Sequence, residues 1–335
     1  MKICVYFEAE KLIQTSGIGR ALHHQKRALE SVGLSYTLDP NEDYDLLHIN
    51  TIGPASMAVL SKAKKQNKAV IYHAHSTEED FKNSYVLSNQ IAPLFKRHLV
   101  SLYRQADAII TPTPYAKQLL MNYGLDLPIY PLSNGIDLSR YQYDEDKAKA
   151  FKKYFHLKED QKVIIGVGLY LHRKGIHDFI EVAKHFPDVK FIWFGHSPSI
   201  SIPASLRLVI DNHPSNVILP GYVKGAIIEG AFMSSDLFFF PSYEETEGIV
   251  VLEALAAKCR VLVRDIGVYE GWLQHDHSCF KGNDNPSFIR IIEALLKNEL
   301  KDTTDEGYKI AQARSLDKIG KALKTIYEKT LGEKR

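Results

Sequence analysis

Residues 237–256, LFFFPSYEETEGIVVLEALA, decide the fold. The apolar run Leu237–Phe240 predicts a buried strand, because both faces of its four residues are hydrophobic and a proline ends it. A polar loop and a glycine follow, and apolar residues from Ile249 onward predict a helix. One carboxylate, Glu245, therefore lies in a loop at the carboxyl end of a strand, and a second, Glu253, projects from the helix.

This strand–loop–helix segment has two interpretations. A helix N-terminus behind a glycine favours phosphate binding, and the two carboxylates could then hold the hydroxyls of a sugar nucleotide. Acidic residues also favour the first turn of any helix, so an acidic surface turn is an equally good explanation. The segment by itself leaves both open.

Short apolar runs alternate with helical patterns on either side of this segment. This alternation predicts an α/β fold in which helices cover parallel sheets. A charged stretch at 143–162 separates two halves of similar size. The predicted strands are Ile3–Phe7, Leu46–Ile49, Ala69–Tyr72, Ala108–Ile110 and Ile129–Leu132 in the first half, and Val163–Val167, Phe191–Phe194, Val217–Leu219, Leu237–Phe240 and Val261–Val263 in the second.

Each half is predicted to be a doubly wound, Rossmann-like domain. We expect an N-terminal domain over 1–155, a C-terminal domain over 156–315, and a closing helix over 316–335 that packs back toward the N-terminal domain. In open parallel sheets, ligands bind outside the carboxyl ends of the strands. Two such sheets would face a central cleft, and the candidate residues below all follow predicted strands.

Composition indicates an ordinary soluble globular protein of 335 residues, with 45% hydrophobic and 24% charged residues. A net charge of +2 gives no indication of nucleic-acid binding. The three scattered cysteines form neither a disulfide framework nor a metal-ligand pattern, which favours a cytoplasmic protein. No apolar run reaches the ~18 residues of a membrane span, so any membrane contact is expected to be peripheral.

Positive charge is concentrated between residues 62 and 117, where nine Lys or Arg face four acidic residues. Within it, the predicted helix Pro93–Gln105 combines apolar residues with Lys96, Arg97 and Arg104. Such a helix could lie on an anionic membrane surface. Solvated lysines on ordinary core-packing helices are the alternative.

Two glycines, Gly17 and Gly19, follow the first strand in the segment 16–20 and would let the backbone approach a ligand closely. They do not form the dinucleotide fingerprint, because Leu22 stands where its last glycine is required. After the third predicted strand, His73 and His75 point to the same side of an extended chain. They suit a sugar hydroxyl, whereas no further ligands at convincing spacing support a metal site.

Cations open the second half. His172, Arg173 and Lys174 precede a helix that is predicted to begin near Ile176. Positive charge at a helix start opposes the helix dipole, and it is tolerated mainly where an anion lies nearby. A solvated loop is the alternative. Gly195, after the next strand, would let a nucleobase or ribose approach the backbone.

Taken together, these segments resemble glycosyltransferase family 4, retaining enzymes of the GT-B fold. The resemblance covers nearly the whole chain. Its most specific part is the E-x7-E pattern formed by Glu245 and Glu253. The stretch SNGID at 133–137, the cationic loop before Gly175, the early Gly-x-Gly and the His-x-His stand in the family's order.

The resemblance implies a role for each matching residue of the second half. Arg173 and Lys174 would neutralise the diphosphate of a nucleotide sugar. Glu253 would hold the ribose hydroxyls, and Glu245 would contact the donor sugar. Backbone groups would complete the donor site at Gly195, Gly248, Ile249 and Val250.

For the first half, the resemblance implies that Gly17 and Gly19 approach the diphosphate and that His75 lies near the reacting sugar carbon. Two positions depart from the family. Leu169 occupies the usual place of an arginine, so Arg173 is expected to replace it. Glu247 replaces the usual aromatic residue before the glycine, a variant similar to Gram-positive glycolipid synthases that add a second hexose.

The resemblance therefore implies a hexosyltransferase that uses UDP-glucose or UDP-galactose and acts on a glycolipid, glucosyl-diacylglycerol. It would act as a peripheral protein at the cytoplasmic membrane face, with neither a metal nor a cofactor. A cell-wall, capsular or soluble polysaccharide acceptor is the alternative, since the same residues would serve it. A sugar-nucleotide epimerase is disfavoured by the E-x7-E pattern and the cation pair, and a two-lobed binding protein by the lack of a signal region.

Overall fold

The computed structural model describes residues 1–8 and 17–334. The chain forms two compact units. The first unit contains Met1–Phe81, Gln90–Ile136 and Arg314–Arg335, and the second contains Lys82–Asn89 and Asp137–Ala313. The second unit thus begins at Asp137 and not near residue 156, and it also takes in eight residues from the N-terminal half of the sequence.

The first unit is built on a six-stranded parallel sheet of order β2-β1-β3-β4-β5-β6. Its strands are β1 (Lys2–Tyr6), β2 (Ser35–Thr37), β3 (Leu46–Ile49), β4 (Ala69–His73), β5 (Ala108–Thr111) and β6 (Ile129–Pro131). Its helices are α1 (Gly17–Ser31), α2 (Pro54–Lys65), α3 (Glu78–Phe81), α4 (Ser88–Tyr103, the first two residues of which belong to the second unit) and α5 (Pro114–Asn122). Apolar clusters cover both faces of the sheet, which explains why its strands lack a polar alternation.

The last helix of the chain, α13 (Leu316–Lys334), belongs to the first unit and packs on α1 and β4. A Cβ at Gly320 would lie 2.1 Å from the carbonyl oxygen of Ala28, so only glycine allows this close helix contact. The hydroxyl of Tyr327 lies 2.7 Å from Nδ1 of His48, and Lys334 pairs with Asp107 at 2.8 Å. An apolar stripe together with two polar contacts therefore fixes this helix.

The second unit is built on another six-stranded parallel sheet, with the different order β12-β11-β10-β7-β8-β9. Its strands are β7 (Val163–Val167), β8 (Lys190–Phe194), β9 (Val217–Gly221), β10 (Leu237–Phe240), β11 (Val261–Arg264) and β12 (Phe280–Gly282). Its helices are α6 (Glu145–Tyr154), α7 (Ile176–Ala183), α8 (Ala204–Asp211), α9 (Ala226–Ser234), α10 (Ile249–Ala256), α11 (Asn285–Leu296) and α12 (Thr304–Gln312).

Aromatic side chains fill the core of the second unit. Phe179 on α7 packs edge-on against Trp193, with ring centroids 5.1 Å apart, and lies 5.7 Å from Phe239 on β10. Helix α6, which lies in the charged stretch 143–162, packs on α9. There a Cβ at Gly230 would lie 2.0 Å from the carbonyl oxygen of Lys147. This packing explains why the second unit begins before α6.

The predicted α/β fold of two doubly wound, Rossmann-like halves is confirmed. The sequence missed the short edge strands β2 and β12, whose three residues are too few for a periodic pattern. It also missed α3 and α12, which are short or largely polar helices.

Candidate functional site

The loop after β10 and the first turn of α10 form the centre of the candidate site. Gly248 is the N-cap of α10 and has φ of 88°, a left-handed conformation that favours glycine. No side chain caps this helix, and its first turn carries no acidic residue. The first amides of a helix have no partner within the helix, so this N-terminus favours an anionic ligand.

The cationic loop after β7 packs directly on this centre. His172–Lys174 forms one turn of 3-10 helix, and Gly175, with φ of 73°, ends it. A Cβ at Gly175 would lie 2.3 Å from the carbonyl oxygen of Pro241, which excludes any larger residue. The backbone N–H of Tyr243 donates a hydrogen bond of 2.8 Å to the carbonyl oxygen of Arg173, which completes the contact. The two loops are therefore held in one arrangement.

Glu245 is bound by both loops of this arrangement. It is buried and accepts hydrogen bonds from Lys174 Nζ at 2.5 Å and Ser242 Oγ at 2.7 Å, while Arg173 Nη1 lies 3.7 Å away. Burial by itself would raise the pKa of Glu245, but the two cations and the hydrogen bonds outweigh it and hold that pKa below its usual value. Glu245 is thus an ionised acceptor and not a proton donor.

Arg173 is less available to a ligand than the sequence predicts. Its side chain is nine-tenths buried. Nε donates to Ser84 Oγ at 2.9 Å, and Nη1 donates to the carbonyl oxygen of Glu244 at 2.9 Å. Ser84 belongs to the eight-residue segment Lys82–Asn89 that joins the second unit. At the site, Arg173 therefore chiefly holds the Glu244–Glu245 loop in place.

The second carboxylate of the E-x7-E pattern, Glu253, is buried on α10, and Glu247 is buried in the preceding loop. Ile249 and Val250 occupy the first turn of α10 as expected, and their side chains are half-buried. Gly195 has φ of 134°, and a Cβ there would lie 2.0 Å from the carbonyl oxygen of Gly168. Close packing between neighbouring strand ends thus requires this glycine, whatever it contacts in a ligand.

The sequence did not lead us to Arg264, whose side chain hydrogen-bonds to the loop after β10. This buried residue ends β11, donates from Nε to the carbonyl oxygen of Pro241 at 3.1 Å, and pairs with Asp178 at 2.8 Å. Its guanidinium lies 3.9 Å from the ring centroid of Tyr243. The signal was available, because an arginine that directly continues an apolar strand is expected to be paired and buried.

In the first unit, the structure brings His75 together with two other histidines. The rings of His73 and His75 stack with centroids 4.0 Å apart, and the ring of His48 lies 5.3 Å from that of His73. A hydrogen bond of 3.0 Å joins His75 Nε2 to Asn50 Oδ1, whereas both ring nitrogens of His73 are buried without a partner. The predicted His-x-His pair is thus part of a buried cluster of three.

Gly17 and Gly19 lie in the first turn of α1 and not in a loop before it. Ser16, which opened the predicted glycine segment, lies outside the described residues. Within residues 1–8 and 17–334, no group of three or more His, Cys, Asp or Glu could hold a metal ion. None of the helices in the same ranges is long and apolar enough to cross a membrane.

Comparison with known families matches both halves of the chain. The family model described as glycosyl transferases group 1 matches residues 147–313. The model described as glycosyltransferase family 4 matches residues 17–140. Together they include every residue of the candidate site described above.

Individual relatives agree with these matches. The chain is 49% identical to processive diacylglycerol alpha-glucosyltransferase of Acholeplasma laidlawii, over the whole of both chains. It is 23% identical to alpha-galactosylglucosyldiacylglycerol synthase of Streptococcus pneumoniae, over 87% of this chain and 79% of that one. Among solved structures, Anabaena HepE in complex with UDP-glucose superposes with a TM-score of 0.78 at 16% identity, covering 98% of this chain and 100% of that one.

Proposed function

Because the chain belongs to the group 1 glycosyltransferases, with a family 4 N-terminal half, we propose that it transfers a hexose from a UDP-sugar to a glycolipid. The observation that carries the proposal is the contact between Lys174 and Glu245 beside the uncapped N-terminus of α10. It combines a fixed cation, a helix N-terminus for phosphates and an ionised carboxylate for sugar hydroxyls. This combination suits a sugar diphosphate better than either a free sugar or a free phosphate.

The proposed donor is UDP-glucose or UDP-galactose. A solved structure of the same fold holds UDP-glucose, which supports this choice. Lys174 and the amides of Gly248, Ile249 and Val250 would bind the diphosphate. Glu245 would accept hydrogen bonds from the hexose, and Glu253 from the ribose. Gly195 would border the base, and Gly17 and Gly19 would approach the diphosphate.

The proposed reaction retains the anomeric configuration by attack from the face of the leaving group. The bond between the anomeric carbon and the diphosphate oxygen breaks while the acceptor hydroxyl oxygen bonds to that carbon. The acceptor proton passes to the departing diphosphate oxygen, so atoms and charge balance. Lys174 stabilises the growing negative charge, and Arg173 holds the loop that carries Glu245. His75 would position the acceptor near the reacting carbon.

The proposed acceptor is glucosyl-diacylglycerol. The full-length similarity to a processive diacylglycerol glucosyltransferase supports a lipid acceptor, and the similarity to a synthase of a two-hexose lipid supports a second transfer. The direct test incubates the protein with UDP-glucose or UDP-galactose, each with diacylglycerol or glucosyl-diacylglycerol. We expect a two-hexose lipid from glucosyl-diacylglycerol. The absence of a glycolipid product from every pair would contradict the lipid acceptor and favour a polysaccharide acceptor.

A metal-independent reaction is part of the proposal, because Lys174 and the helix N-terminus would supply the charge that a divalent ion otherwise provides. Activity in the presence of excess EDTA is expected to match the untreated enzyme. Loss of activity with EDTA that is restored only by a divalent metal would contradict this part alone.

The proposed membrane contact lies on α4. It carries Ile91 and Leu94, which are 45% and 63% exposed, and exposed Arg97 one turn later, while exposed Arg104 directly follows the end of the helix. Arg97 and Arg104 also line a groove of about 730 Å³. Its other lining residues are Glu78, Pro93, Lys96, Val100, Ser101 and Tyr123. Apolar side chains followed by cations on one helix side suit the interface of an anionic bilayer.

Vesicle flotation tests this contact. The wild-type protein is expected to float with vesicles containing phosphatidylglycerol, less in high salt, and little with phosphatidylcholine alone. Leu94→Glu should abolish flotation. Leu208→Glu is the matched control, since Leu208 is 67% exposed on α8 in the second unit. Equal flotation of both variants, or binding insensitive to salt, would contradict α4 as the contact.

A further inference from the structure

Tyr269 is completely buried in the turn that follows β11. Its hydroxyl lies 3.3 Å from the position that a Cβ at Gly248 would occupy, and ring atom Cε1 lies 3.7 Å from it. Within residues 1–8 and 17–334, the hydroxyl has no hydrogen-bond partner. A buried hydroxyl without a partner is costly, so an unpaired one directed at a helix N-terminus indicates that a partner arrives from outside.

The groups around this hydroxyl define the partner's chemistry. The first-turn amides of α10, which begins beside Gly248, are donors, and Lys174, which pairs with Glu245 three residues before Gly248, is a donor as well. Burial, reinforced by the charges of Glu245 and Glu244, raises the pKa of Tyr269 well above its usual value. Its hydroxyl therefore stays protonated and can donate. A set of donors requires a ligand with several acceptor oxygens and negative charge, which describes a phosphate group.

We infer that Tyr269 is a donor-binding residue, whose hydroxyl donates a hydrogen bond to an oxygen of the nucleotide diphosphate at the N-terminus of α10. The inference rests on the proposed UDP-sugar donor. It adds a contact from β11 to those from the loops after β7 and β10. It also explains the glycine at 248, because any side chain there would meet the tyrosine hydroxyl and fill the space of the phosphate.

The test compares Tyr269→Phe with wild type by calorimetric titration of UDP, uridine and inorganic pyrophosphate, together with thermal unfolding of the free protein. Tyr44→Phe is the matched control. Tyr44 is also buried with an unpartnered hydroxyl, but it lies in the first unit between β2 and β3. Both substitutions remove one oxygen and keep the ring.

We expect Tyr269→Phe to weaken UDP binding about 10-fold, the usual effect of one hydrogen bond to a charged group. Uridine binding should be unchanged and pyrophosphate binding weaker. Neither variant should have a lower melting temperature than wild type, because no hydrogen bond is lost in the free protein. Tyr44→Phe should bind all three ligands as wild type does.

Equal UDP affinity of wild type and a folded Tyr269→Phe would overturn the inference while leaving the proposed donor intact. An equal loss for uridine would place the contact on the nucleoside and would overturn the phosphate assignment. If wild type bound pyrophosphate and not UDP, the proposed donor would fail, and pyrophosphate would still decide the role of Tyr269. Binding of neither would overturn both.

Discussion

In the first unit, stacked imidazoles occupy the carboxyl ends of β3 and β4, whereas in the second unit an ion pair occupies the loops after β7 and β10. His48, His73 and His75 are buried against one another, and none of them forms an ion pair with a residue of 1–8 or 17–334. Lys174 and Glu245 are buried in contact with each other. Two parallel six-stranded sheets that differ in strand order therefore hold buried titratable groups in opposite ways.

The difference shows how burial acts on each kind of group. Desolvation favours the neutral form, and nothing opposes it in the first unit. Burial lowers the pKa of His48 and of His75 to about 3, and burial together with its two neighbours lowers that of His73 well below its usual value. In the second unit, the cations outweigh burial, and Glu245 stays charged. The second unit is thus suited to an anionic ligand, and the first to neutral hydroxyl groups.

Acidification is expected to destabilise the first unit at a higher pH than the second, and this is the largest predicted effect. A histidine with a lowered pKa in the folded state stabilises the fold fully above its unfolded pKa of about 6.5 and loses that contribution as pH falls. Each of the three histidines then lowers the free energy of unfolding by about 1.4 kcal/mol for every pH unit below 6.5. The contribution of Glu245 is retained until pH falls below about 4.3, its unfolded value, because its folded pKa is also lowered.

The two tryptophans of the chain, Trp193 and Trp272, both lie in the second unit. Between pH 7 and 5, circular dichroism is therefore expected to report loss of structure before tryptophan fluorescence changes. His73→Phe should shift the first transition to lower pH, since neither ring nitrogen of His73 has a partner to lose. Coincident transitions that are unaffected by His73→Phe would contradict the predicted difference between the units.

Removing the cation of the ion pair is the next largest effect. Lys174→Met should lower kcat/KM about 10²- to 10³-fold, the range for loss of one preorganised charge-stabilising group. The double variant Lys174→Met/Glu245→Gln should recover stability, since no buried charge is left unpaired, but it should not recover activity. Steady-state kinetics and thermal unfolding measure the two effects separately.

Lys162→Met is the control for this substitution. Lys162 pairs with Asp236 at 2.8 Å in the same unit, just before β7 begins, and so at the opposite end of the strand from the site. We expect its kcat/KM to stay within about twofold of wild type, as for most exposed ion pairs. An equal loss in both lysine variants would mean that general charge, and not the position of Lys174, matters.

Ser84→Ala is expected to have the smallest effect and to test the contribution of the segment Lys82–Asn89. It removes the hydrogen bond that Ser84 Oγ accepts from Arg173 Nε, so Arg173 should hold the Glu245 loop less firmly. We expect kcat/KM to fall about 3- to 10-fold, which corresponds to one ordinary hydrogen bond. Ser234→Ala, which removes a bond to a helix carbonyl on α9, is the control and should leave activity unchanged.

Most of the strand–helix order could be predicted from the sequence. The apolar runs that became β3, β7 and β10 have the predicted bounds, because strands buried on both faces leave a continuous hydrophobic signal. The unit boundary could not be predicted in the same way. The charged stretch that contains α6 predicted a helix and linker with few core residues, whereas the contact of α6 with Gly230 depends on a helix far along the chain.

The residues of the candidate site also fall into two groups, those that a local sequence pattern indicates and those that depend on distant contacts. The sequence predicted roles for Glu245, Glu253 and Lys174, since each belongs to a local pattern that follows a strand. It expected Arg173 to face a diphosphate, but the structure binds that side chain to Ser84, 89 residues away in sequence. Tyr269 was missed because it forms no motif and contacts the distant residue Gly248, whereas Arg264 was missed although its place at the end of an apolar strand was a local signal.

The sequence by itself determined the α/β class, the succession of strands and the family to which the chain belongs. These follow from hydrophobic periodicity and from motifs of fewer than ten residues, which are local properties. Only the tertiary structure decided which buried groups are paired, that Lys82–Asn89 joins the second unit, and that Tyr269 faces Gly248. Burial and pairing depend on residues brought together from distant parts of the chain, and no local pattern encodes those contacts.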